Sequence, residues 1–177
     1  MPLWQIYHPE PAFSAADKRA LAQKVTALYQ DFLPRFYVNV FFHALPPGAA
    51  YLGGEPADDF VRVTIDHIAR AMDNDAEQQQ FLAACTRILQ PYLAARGLRW
   101  ELHVDETPFS LWTIDGLKPP APGTAAGERW RKENRPSAWG GEIGGDGGYS
   151  GQKNPRRSVD FSVSGSGEIR CGERLRR

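Results

Sequence analysis

The second residue, Pro2, is where chemistry in this chain would begin. A small residue in that position favours removal of Met1, and the new terminus would then be a proline ring nitrogen, a secondary amine that no other residue offers. An ordinary α-amino group titrates at about 7.7–8.0. An apolar pocket lowers that value by disfavouring the charged form, and a neighbouring carboxylate raises it. A buried, unblocked Pro2 could therefore act as a general base or general acid near neutral pH. The plain alternative is a Met-Pro start that simply frays. Other candidate chemistry is sparse. His8, His43, His67 and His103 fall on separate predicted strands without close ligand spacing, so neither a metal site nor a cofactor is expected. Gly53-Gly54 lacks the following Lys-Ser pair and helix of a phosphate loop.

Pro2 must be held by whatever element follows it. Leu3, Gln5 and Tyr7 alternate with Trp4, Ile6 and His8, the pattern of a strand. His8-Pro9-Glu10-Pro11 breaks that strand, and Ser14 with Asp17 predicts a capped helix start. Leu21, Val25, Leu28 and Phe32 recur at helical spacing, and Pro34 predicts an end at about Leu33. Residues 37–44 read as a second strand and Tyr51-Leu52-Gly53-Gly54 as a hairpin or close backbone approach. The same order then repeats. Residues 61–67 alternate strictly, with Val61, Val63 and Ile65 on one face. Asn74 and Glu77 predict the next helix start, and Phe81, Cys85, Ile88 and Tyr92 its buried face, with a kink at Pro91. Gly97 closes it, residues 99–104 form a fourth strand, and 128–133 could add a short helix. Two β-α-β units are thus expected, each with a parallel strand pair, sharing one sheet.

The bulk numbers exclude more than they identify. At 177 residues one domain with a sizeable core is expected. With 21 basic and 21 acidic residues, no overall field argues for nucleic acid or a membrane surface. No apolar run reaches the ~20 residues of a membrane span, no secretory signal is evident, and two cysteines make no disulfide framework. A reducing, cytosolic setting is the expectation.

Met1-Pro2-Leu3-Trp4, Tyr51-Leu52-Gly53-Gly54, the run from Trp100 to Pro108, and Glu133-Asn134-Arg135-Pro136 together resemble the tautomerase superfamily. Within it the chain is similar to the branch typified by cis-3-chloroacrylic acid dehalogenase, and in particular to fungal relatives labelled oxalocrotonate tautomerases. The resemblance covers roughly residues 2–136 and implies an α/β (α+β) fold: two fused β-α-β units, one four-stranded sheet, two helices on one face, and assembly as a homotrimer. It implies a catalytic amino-terminal proline, here Pro2. The relatives carry arginines after the third strand that hold a substrate carboxylate, and the residue in that region here is Arg70. Their first-helix histidine matches Tyr29, whose phenol is a weaker acid but still polarises a carbonyl oxygen. A fourth-strand tyrosine is replaced by His103. Each of these three is equally readable as a solvated or packing residue. The acid that activates water in the dehalogenase falls near Ile114 or Asp115; isoleucine cannot do that work, which weakens hydrolytic dehalogenation or hydration.

Residues 1–136 are therefore expected to form a tautomerase-like domain. Residues 137–177 are expected to be a disordered Gly/Arg/Ser-rich tail, with seven glycines from Gly140 to Gly151 and, from there on, seven basic against three acidic residues. An RNA-binding arm would need more aromatic platforms than Tyr149 and Phe161. The function expected is tautomerase-type proton transfer by Pro2 on a small 2-oxo or unsaturated carboxylic acid, with Tyr29 or His103 polarising its oxygen. The alternatives are a haloacrylate-type dehalogenase or hydratase, and a non-catalytic, cytokine-like oligomeric binding protein on the same scaffold.

Overall fold

The computed structural model describes residues 1–68, 72, 74–140, 157–163 and 169–175. β1 (Pro2–Pro9) leads through a 3₁₀ turn into α1 (Ala15–Tyr29), which returns the chain to β2 (Asn39–Leu45). β3 (Tyr51–Leu52) and β4 (Glu55–Pro56) make a small hairpin, turned by Gly53 and Gly54 at positive φ. β5 (Phe60–His67), α2 (Asp75–Leu89) and β6 (Arg99–Glu106) repeat the first unit, and α3 (Ala125–Glu133) follows a loop. The main sheet has the order β2-β1-β5-β6. β1 is parallel to β2 and β5 to β6, while β1 and β5 meet antiparallel at the centre. The two expected units thus share a sheet through their first strands.

Alternation decides which way each strand faces. Pro2, Trp4, Ile6 and His8 of β1 and Val61, Val63, Ile65 and His67 of β5 are buried, while the residues between them are only half covered. The buried set packs against Leu21, Val25, Leu28 and Tyr29 of α1 and Phe81, Cys85, Ile88 and Leu89 of α2. The cap at Ser14 is reciprocal: its hydroxyl accepts from the Asp17 N–H at 3.1 Å, and the Asp17 carboxylate accepts from the Ser14 N–H at 3.0 Å. Arg96 donates to both oxygens of Asp17 and to the carbonyl of Ala12, fastening the turn between α2 and β6 to the start of α1.

Three details depart from expectation. α1 ends at Tyr29, and the path to Leu33 is carried by turn bonds from Phe32 and Leu33 to the Tyr29 carbonyl. Pro34 disfavours helical backbone before it, so the last turn opens and Phe32 is only half buried. Pro91 does not kink α2: the helix stops at Leu89, and Pro91 enters a separate 3₁₀ path closed by Gly97 at φ 72°. In the tail, expected to lack regular structure, β7 (Arg157–Val163) and β8 (Ile169–Leu175) pair antiparallel, a correction for those two segments.

His8, fully buried at the far end of β1, is held below its ordinary pKa of 6.5 mainly by desolvation, although its Nδ1 reaches the Pro9 carbonyl at 2.7 Å. Below pH 6.5 the unfolded chain takes up this proton more readily than the folded one. Acidification from that point therefore lowers stability. A falling melting temperature between pH 7 and 5, flattened in His8→Phe, is the expected result of thermal scans.

Candidate active site

β1 begins inside the protein. Pro2 is buried on the helix-facing side, and its backbone partner across the central antiparallel pair is His67. The backbone before it is also fixed. The Met1 carbonyl accepts from the Ile68 N–H at 3.2 Å, and the Asn39 amide lies 2.8 Å from the Met1 sulfur. Desolvation lowers the Met1 amine from 8.0 to about 4.

Tyr29, the last residue of α1, is fully buried under the same end of the sheet. Its hydroxyl oxygen accepts a hydrogen bond from the Trp4 indole N–H at 3.1 Å. Trp4 lies two residues beyond Pro2 on the same face, roughly 6.6 Å along the strand. The Tyr29 ring stands 6.0 Å from the His67 ring, and Phe81 closes on His67 at 5.0 Å. Trp4, Tyr29, His67 and Phe81 therefore form one buried aromatic group, and the buried Pro2 is the strand partner of His67. A phenol that accepts from an indole is oriented by that bond, and its own O–H becomes a better donor.

His103 is placed elsewhere. It pairs with Thr64 on β6 and belongs to the open face of the sheet, opposite the helices and opposite Tyr29. There an Arg62 guanidinium nitrogen meets its Nδ1 at 2.7 Å, its Nε2 lies 3.3 Å from Asp105, and Arg62 also pairs with Glu101. An arginine donates only, so Nδ1 is the acceptor and Nε2 carries the hydrogen facing Asp105. Within one chain the structure does not bring His103 to Pro2. Arg70 lies outside the described residues. Ile114 is half buried beneath a tight turn bridged to Leu117, and Asp115 is exposed at its tip with φ 51°. Among the described residues, no three of His, Cys, Asp or Glu converge as metal ligands. Cys85 is a buried thiol pushed up by desolvation, chemically inert there.

Sequence reasoning missed His67 and Trp4 as neighbours of the proline. Both were assigned to strands, but only the antiparallel joining of the two units sets His67 opposite Pro2.

A cleft of about 170 Å³ lies between the segment that follows α1, the loop after β6 and α3. Its walls are Phe32, Tyr37, Phe109 and Trp112. Tyr37 and Trp112 meet edge to face at 4.7 Å, and burial pushes the Tyr37 hydroxyl above its ordinary pKa.

Comparison with known proteins agrees with this architecture. The model of the family described as "Putative oxalocrotonate tautomerase enzyme" matches residues 1–135. The structure is similar to native RhCC of Rhodococcus jostii RHA1, with 41% identity, a TM-score of 0.75, and coverage of 77% of this chain and 99% of that one. It is equally similar to a protein of the thermophilic fungus Aspergillus fumigatus, at 41% identity and TM-score 0.74, covering 78% and 98%. A member of the cis-3-chloroacrylic acid dehalogenase family shares the fold at 23% identity and TM-score 0.58, covering 75% and 97%. No curated protein matches.

Proposed function

The chain belongs to the oxalocrotonate tautomerase-type family, whose model spans residues 1–135, and from that premise we propose that Pro2, once Met1 is removed, transfers a proton on a small 2-oxo or unsaturated carboxylic acid. The observation that carries the reading is the burial of Pro2 at the head of β1, on the helix-facing side of the sheet and opposite His67. A neutral ring nitrogen takes a proton from the carbon next to the carbonyl, the electron pair moves onto the carbonyl oxygen to give an enolate, and the proton passed from Pro2 to that oxygen completes the enol. Run in reverse, the same nitrogen returns the proton and ketonises an enol. Tyr29 donates to the oxygen on which charge develops, in a site that excludes water. Tyr29 is favoured over His103 for that role because it shares a face with Pro2. Arg70 would hold the carboxylate through paired N–H donors.

The same geometry disfavours hydrolysis. The acid expected near Ile114 or Asp115 meets a half-buried isoleucine at the first position, and the Asp115 carboxylate at the second is exposed at the tip of a turn. Keto-enol exchange needs no such group. Relatives of the fused 4-OT type assemble as asymmetric trimers, and the uncovered face of the sheet offers a surface for a homotrimer here.

Intact mass read beside turnover tests the proposal. Protein lacking Met1 is expected to ketonise 2-hydroxymuconate or phenylpyruvate enol. Protein retaining Met1 has an amide at Pro2 with no basicity and is expected to run at the background rate. Full turnover with Met1 attached would reject the role of Pro2.

A further inference from the structure

Trp4 follows Pro2 on the buried face of β1 and brings a polar atom into it. The side chain is fully buried, and its strand partners are Val40 of β2 and Ile65 of β5. Those hydrocarbon side chains offer the indole N–H nothing. Its acceptor comes from the helix layer instead: the Tyr29 hydroxyl oxygen, at the end of α1, lies 3.1 Å from Nε1. An indole only donates, whereas a phenol both accepts and donates. Accepting from Trp4 therefore uses a lone pair of Tyr29 and not its proton.

The Tyr29 ring is held on several sides. Phe32, His67 and Phe81 stand around it with ring centroids at 6.0, 6.0 and 6.3 Å, and the side chain is fully buried. With the ring clamped and its oxygen tied to Trp4, the hydroxyl hydrogen has few directions left. Hydrogen bonds in series polarise one another. Negative charge growing on an oxygen that Tyr29 holds makes the phenol oxygen a better acceptor, and the Trp4 N–H tightens onto it. That gain arrives as charge develops, not when substrate first binds, so it acts on the chemical step.

We propose that Trp4 is a positioning residue for the reaction: its N–H aims the Tyr29 hydroxyl and strengthens it as a donor to the substrate oxygen while the enolate forms. The inference rests on the reading of Pro2 as the base and Tyr29 as the donor, and extends that pair to a residue that never touches substrate. No bond is made or broken at Trp4, whose proton stays on nitrogen throughout. A tryptophan that only filled the core would act on folding alone.

Turnover of phenylpyruvate by the full chain freed of Met1 separates the two roles, using wild type, Trp4→Phe, Tyr29→Phe and the double variant, each normalised to folded protein. Trp4→Phe keeps a ring and removes the donor. It should lower kcat about tenfold, the size of one hydrogen bond to a charged group, with KM nearly unchanged. Tyr29→Phe should lose about a hundredfold, and adding Trp4→Phe to it should change nothing further. An unchanged kcat in Trp4→Phe, or the same tenfold loss repeated in the Tyr29→Phe background, overturns the proposal. Full turnover by Tyr29→Phe overturns it together with the role of Tyr29.

A second measurement needs neither turnover nor the Trp4 variant. In protein labelled on nitrogen for magnetic resonance, the indole signal that moves in Tyr29→Phe is that of Trp4. Trimethylpyruvate, a 2-oxo acid with no hydrogen beside its carbonyl to lose, should move that signal downfield. Its analogue without the oxo group, tert-butylacetate, should leave it in place. The same signal position with both acids overturns the proposal. If trimethylpyruvate moves the signal while Pro2→Ala keeps the full rate, the Trp4–Tyr29 pair stands and the reading of Pro2 falls.

Discussion

Replacing Pro2 with alanine is expected to lower kcat/KM for ketonisation by roughly 10²–10⁴-fold, the range contributed by a positioned general acid or base. Alanine still ends in an amine after Met1 is removed, so the loss isolates what the ring supplies. The pyrrolidine fixes φ and holds the nitrogen lone pair in one direction. A primary amine on alanine rotates and is more readily solvated, so both its aim and its lowered basicity suffer. The buried start of β1, between His67 across the sheet and Trp4 along it, makes such aim possible. The assay is the rate with phenylpyruvate or 2-hydroxymuconate, normalised to folded protein by circular dichroism. Equal rates in the two proteins would remove Pro2 from the mechanism and leave the scaffold as a binding protein.

The largest effect on stability is expected from Trp130→Ala. Trp130 is the one tryptophan of α3 and is fully buried. Its indole donates to the Ser137 carbonyl at 2.8 Å, and its ring packs against Phe36 at 6.0 Å and Tyr37 at 6.3 Å. α3 has little else to hold it. Its other faces are polar, and its end is fixed by Asn134, in left-handed backbone, whose side chain accepts from the Phe36 N–H at 3.1 Å. Truncating a buried tryptophan typically costs about 3–5 kcal/mol. Chemical denaturation should show a loss of that size, with amide exchange rising first in α3 and around Tyr37. A loss below about 1 kcal/mol would mean that α3 is not bound to the core through this side chain.

Much of the scaffold was legible because its signals are local. The capping pair Ser14 and Asp17, the stripe Leu21, Val25 and Leu28, and the alternation from Val61 to His67 each depend on spacing alone, and the structure contains all three. The repeated β-α-β order likewise follows from chain order and the need of each helix to cover a sheet. Boundaries next to prolines were less legible. Whether a proline kinks a helix, as expected at Pro91, or ends it depends on what the following residues pack against.

The candidate site divides along the same line. Sequence by itself determined that a proline stands second, at the head of a strand whose even-numbered residues share a face, and that Tyr29 lies on the first helix. It also showed an isoleucine, Ile114, with the carboxylate of Asp115 one residue on, where a water-activating acid is expected. Only the tertiary structure decided that His67 faces Pro2 and that His103 lies across the sheet among Arg62, Glu101 and Asp105. The physical reason is that side-chain direction within a strand is set by a period of two. Which strand lies beside it, and in which sense it runs, is settled by how two amphipathic units bury their apolar faces together.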